Sequence, residues 1–132
     1  MKHLLQAMMD SGFMYCNLTL HPGDKVEKAL DAIRHINYNG FKGAEVAEWV
    51  KSLLANGFAV QIGREYSMVM YVTVPHLVNH NLLTPSQEAK MAQQVMRKAK
   101  SLKADEIGLE KRSPVPQSEH SRDTLVVRAW WD

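Results

Sequence analysis

The stretch from Tyr66 to Val74 constrains the fold more than any other, because its apolar residues point both ways. As an extended strand it sets Met68, Met70, Val72 and Val74 on one face and Val69, Tyr71 and Thr73 on the other. A strand apolar on both faces needs cover above and below and neighbours on each side, so it predicts a central position in a sheet. Phe58 to Ile62 supplies one neighbour, with Gly63-Arg64-Glu65 as the expected hairpin loop. Glu106 to Arg112 and Thr124 to Trp131 read as further strands. In the second of these Leu125, Val127, Ala129 and Trp131 alternate with Val126, Arg128 and Trp130. Phe13 to Leu20 is the remaining strand, with Met14, Cys16, Leu18 and Leu20 as its expected inward set.

Helical periodicity fills the intervals. Residues 3 to 10 read as a short helix, and Asp24 with Glu27 has the capping-box spacing that starts another, whose inward stripe is Val26, Ala29, Leu30, Ile33 and Ile36. Gly43 precedes a helix with Val46, Trp49, Val50, Leu53 and Leu54 on one side; it ends at Asn56-Gly57, where Gly57 is expected in the left-handed region. The clearest helix follows Thr84, an N-cap with Pro85 at the first helical position and Gln87 in the capping-box place. Met91, Ala92, Val95, Met96, Ala99 and Leu102 share one sector of it, and Lys90, Gln94, Arg97, Lys98, Lys100 and Ser101 the other. Pro75 to Leu83 reads as a connector with one helical turn, and Ser113 to Ser118, with two prolines, as a surface loop. At 132 residues the chain fits one domain, spanning 1–132. The predicted class is α+β: a four- to five-stranded, mostly antiparallel sheet with helices packed mainly on one face.

Phe41, Gly43, Glu45, Val46, Trp49 and Val50, in the order Phe-x-Gly-x-Glu-Val-x-x-Trp-Val, resemble the second-helix motif of DEP domains, small winged-helix modules that dock on membranes or signalling partners. Such a domain continues with a third helix, whereas Asn56-Gly57 here leads straight into strand-like sequence. No role is carried over from the match, and Trp49 is read as a core anchor.

Charge speaks against a generic polyanion binder. Sixteen basic and 14 acidic residues leave a formal net charge of +2, too even to point to nucleic acid by itself. The distribution is uneven, however, because Lys90 to Lys103 carries five cations and no acid. That helix could follow a phosphate backbone, guide an acidic protein surface, or simply complement its own dipole with Lys98, Lys100 and Lys103. Cys16 is the single cysteine, so no internal disulfide forms; it is read as a small core residue, and the cytoplasm is the expected location. The apolar run before Asp10 is too short for a signal peptide or a membrane span, and no membrane partner is expected.

Signatures of catalysis are sparse. The sequence has no Gly-x-Ser-x-Gly elbow, phosphate-binding glycine loop or dinucleotide fingerprint, so no catalytic residue and no cofactor is predicted. His76 and His80 have the spacing that places two imidazoles on one side of a helix, but Leu77 stands where a zinc hydrolase needs glutamate. A small-ligand or metal-dependent enzyme using His76, His80 or His21 is one alternative, and nucleic-acid binding along residues 84–103 is another. The leading expectation is a non-catalytic binding protein that occupies the surface of a macromolecular partner, most simply a protein. It has the style of the accessory or inhibitor proteins that bacteriophages and other mobile elements encode. Its expected contact residues are Lys90, Arg97 and Lys100 as the electrostatic guide and Trp130 or Trp131 as the apolar anchor. The two tryptophans are adjacent and must face opposite ways on a strand. A homodimer through that strand, by edge pairing or face packing, is the expected self-association.

Overall fold

A computed structural model describes residues 18–38, 40–65, 67–113 and 122–132. In chain order the elements are β1 (Leu18–Leu20), α1 (Glu27–Arg34), the short pair β2 (Asn37–Tyr38) and β3 (Phe41–Lys42), α2 (Gly43–Ala55), β4 (Ala59–Glu65), β5 (Ser67–Thr73), a second short pair β6 (Leu77–Val78) and β7 (Asn81–Leu82), α3 (Pro85–Ser101), β8 (Glu106–Arg112) and β9 (Thr124–Trp131). The five long strands lie in the order β1-β4-β5-β9-β8, every neighbour antiparallel. The helix read over residues 3 to 10, Cys16 and the Ser113–Ser118 loop beyond Ser113 lie outside the described residues.

β5 is the middle strand, as its two apolar faces require. Met70 and Val72 are fully buried on the face that meets the helices, and Val69 is fully buried on the other. Cross-strand register continues the helix-side face through Leu18 and Leu20, Val60 and Ile62, then Val127, Ala129 and Trp131, and the buried residues of α1, α2 and α3 join this same core. The single-face α+β arrangement follows from that shared core.

Two glycines set the helix junctions. Gly57 has φ +90°, and behind it Phe58 N–H donates to the Leu53 carbonyl at 3.0 Å while Gly57 N–H donates to that of Leu54 at 3.2 Å, which is the Schellman termination of α2. Gly43 opens α2 against the end of α1. A Cβ there would fall onto the carbonyl oxygens of Ile33 and Ile36, so only glycine admits so close a crossing.

Several local expectations are corrected. α1 starts at Glu27 behind Val26 without a side-chain cap; Asp24 instead accepts the His21 N–H at 2.9 Å, closing the turn before it. Gly63-Arg64-Glu65 is strand, with pairing that runs to Glu65 opposite Ser67; Tyr66 lies outside the described residues. Pro75 to Leu83 has no helical turn. Asn79 and His80 have φ of 52° and 65°, the two left-handed central residues of a type I′ turn, and they fold the segment into the β6–β7 hairpin.

Trp131 is the largest correction. It is fully buried, meets Phe41 edge to face with ring centroids 5.0 Å apart, and donates its Nε1–H to the Leu102 carbonyl at 2.9 Å. It therefore holds the core together and offers no surface to a partner. Nor is β9 available for edge pairing, because β5 and β8 occupy its two sides. The motif shared with DEP domains forms β3 and α2, but β4 follows α2 directly with no third helix between them. Among the described residues no helix is long and apolar enough to cross a membrane.

Candidate functional site

The site is built on α3, whose start is fixed locally. Thr84 Oγ1 accepts the Gln87 N–H at 3.1 Å and Gln87 Oε1 accepts the Thr84 N–H at 2.8 Å, so two of the amides that a helix start leaves free are satisfied reciprocally. Ala92, Val95 and Ala99 then face the core. One charged residue joins them. Glu88, the only acid of α3, is 3% exposed and lies on the buried side of the helix.

Its carboxylate is held by residues from two distant segments. Arg122 Nη2 reaches one oxygen at 2.5 Å, and His76 Nδ1 stands 3.2 Å from both. The histidine's other nitrogen is 3.0 Å from Thr124 Oγ1, and Arg122 also donates to the Leu83 carbonyl at 2.7 Å. A proton on Nδ1 suits this network, since Nδ1 then donates to the carboxylate and Nε2 accepts from the hydroxyl. The cluster ties the segment before β6, the first turn of α3 and the start of β9 into one joint. A cavity of about 240 Å³ opens beside it; Glu88 and Asp123 are balanced there by Lys111 and Arg122, so no field of one sign develops.

Burying Glu88 has a consequence on the outside. The exposed face of α3 is left with Lys90, Arg97, Lys98 and Lys100 and no carboxylate, and among the described residues none of these cations enters an ion pair. Sequence rules overlooked this because an acid in the first turn of a helix is already explained by the dipole. The available signal was helical position, for Glu88 falls in line with Ala92, Val95 and Ala99.

Beside this face runs a groove of about 440 Å³ between α2 and α3, with Trp49, Leu53 and Phe58 on one side and Met91 and Val95 on the other. Val78 and Leu83 of the hairpin segment also line it. Gln94 is at its rim, and Lys90 and Lys98 lie one helical turn to either side of Gln94. Leu77 and Leu82 pair across β6 and β7 and are 57% and 67% exposed; by strand alternation they point away from Val78 and Leu83, so the two leucines share the outer face of the hairpin whose inner face lines the groove. Sequence reading missed this feature entirely.

The residues named from sequence are thus only partly brought together. Lys90, Arg97 and Lys100 share the outer face of α3. Trp130 is half-buried on the opposite side of the sheet, in register with Val69 and Glu106, and cannot act with them as one surface. His76 and His80 are not on a helix; the first is bound into the Glu88 cluster and the second is exposed in the turn. No protein-family model matches the chain, and no curated protein or solved structure shows significant similarity to it.

Proposed function

We propose that this protein is a non-catalytic binding protein that occupies the surface of a partner protein, using the β6–β7 leucines and the adjoining groove for apolar contact and the outer face of α3 for electrostatic guidance. Leu77 and Leu82 carry this reading: they lie opposite each other, exposed, on the outer face of a hairpin whose inner face lines the groove along α3. Apolar area held in water contributes nothing to folding, whereas covering a leucine side chain fully is worth about 1.5–3 kcal/mol to a complex. The cations act mainly on encounter rate and orientation, so the complementary surface is acidic around an apolar centre. An accessory or inhibitor role, by masking the partner's own working surface, fits such a device. A single cysteine suits a reducing compartment, so the cytoplasm is where the partner is sought.

Nucleic acid is the second reading, favoured by the acid-free face of α3. Capture from cell extract separates the two when it compares the wild type with Leu77→Asp/Leu82→Asp and with Lys90→Glu/Arg97→Glu/Lys100→Glu. The protein reading expects a protein retained by the wild type, lost by the leucine variant and weakened by the charge variant. Retention of nucleic acid by the leucine variant, with an affinity that falls steeply as salt rises, overturns it in favour of the second.

A further inference from the structure

β8 is an edge strand of seven residues whose outer side is unpaired among the described residues. Open edges of this length invite a further strand, and proteins ordinarily blunt them with charged side chains, proline or a covering element. The charges of β8 are of both signs and are placed so that they can pair with a second copy of the strand. Glu106 begins the strand, Arg112 ends it, and Leu109 at its midpoint is 45% exposed.

That order is self-complementary. When two copies of one strand pair antiparallel about a twofold axis normal to the sheet, opposed residues share a face, so the axis must pass through a residue position. Centring on Leu109 pairs all of β8: Glu106 with the partner's Arg112, Ile107 with the partner's Lys111, Gly108 with the partner's Glu110, and Leu109 with itself. Other centres are worse. Gly108 sets Glu106 against Glu110, Glu110 and Lys111 each meet their own copy, and Ile107 leaves the strand beyond Leu109 unpaired.

We propose that a second copy of this chain adds to β8 in the Leu109-centred register, joining the two sheets into one continuous antiparallel sheet. The surface is isologous, so it closes at two copies and does not propagate. Two Glu106–Arg112 pairs form across the axis, and the two Leu109 side chains meet on it, in the manner that cross-strand pairs stabilise sheets. The inference is independent of the protein-binding reading, which concerns α3 and the β6–β7 hairpin. It also moves the expected self-association from β9, which has no free edge, to its neighbour.

Sedimentation equilibrium from low micromolar to near millimolar protein, on samples whose melting temperature confirms folding, tests the proposal. The wild type is expected to dimerise in the micromolar range, and Leu109→Asp to abolish dimerisation. Glu106→Arg or Arg112→Glu alone places like charges opposite each other twice and is expected to weaken the dimer about tenfold. The double variant Glu106→Arg/Arg112→Glu restores it. That rescue isolates the contact between copies, because within one chain Glu106 pairs with Arg128, and Arg112 pairs with Glu110 and lies over Tyr71, and the double variant loses these contacts as the single variants do. A monomer at every concentration, a dimer indifferent to Leu109→Asp, or a double variant no better than the singles overturns the proposal.

Discussion

At its N-terminal end α3 is held by charge and hydroxyl groups: the Thr84–Gln87 capping box, then Glu88 between Arg122 and His76, with Thr124 behind the imidazole. At its C-terminal end it is held by an aromatic. Trp131 packs on Phe41 and binds the Leu102 carbonyl, and α3 closes in a Schellman turn in which Ala104 N–H donates to Ala99 O and Lys103 N–H to Lys100 O. The polar anchor works only with its particular partners in place, whereas the aromatic anchor works by volume and contact. Together they fix the rotation of the helix about its axis. That rotation is what directs Glu88 inward and leaves Lys90, Arg97 and Lys100 facing water.

The aromatic end should be the more costly to damage. Trp131→Ala removes the largest fully buried side chain and is expected to destabilise the protein by about 3–5 kcal/mol, read from denaturant unfolding. A loss under 1 kcal/mol would mean that the C-terminal anchor is dispensable and the comparison wrong. At the polar end, Glu88→Ala leaves Arg122 and His76 facing an apolar gap. Their side chains are 29% and 33% exposed, so water relieves part of the cost, and about 2–3 kcal/mol is expected. Lys103 offers the smallest and opposite effect. It takes φ 70° at the end of α3 without being glycine, and Lys103→Gly should stabilise by roughly 0.5–1 kcal/mol, measured as a rise in melting temperature.

What could be read in the sequence was what local chemistry determines. Thr84-Pro85-Ser86-Gln87 announced α3, alternation delimited β8 and β9 at their observed ends, and the two apolar faces of residues 66 to 74 put β5 in the middle. Features decided at a distance were not legible. The Glu88 partner Arg122 arrives only beyond β8, just before β9, and nothing near Glu88 distinguishes a buried acid from one that serves the helix dipole. The β6–β7 pair is too short to have a period, and Asn79-His80 lacks the glycine that usually betrays a type I′ turn. Gly63 read as a turn residue although it sits inside β4 opposite Val69. For Trp130 and Trp131 the alternation showed that they diverge and left either as the exposed one; in the fold Trp131 keeps phase with buried Val127 and Ala129, and Trp130 with half-buried Arg128.

The proposed contact surface joins α3 and the β6–β7 hairpin along the groove they line. Hydrogen exchange of the protein alone and with its captured partner tests it most directly. Protection concentrated in residues 77–83 and along α3, with β1 and β4 unchanged, is the predicted result. Protection confined to the strands, with α3 and the hairpin exchanging as in the free protein, would contradict it.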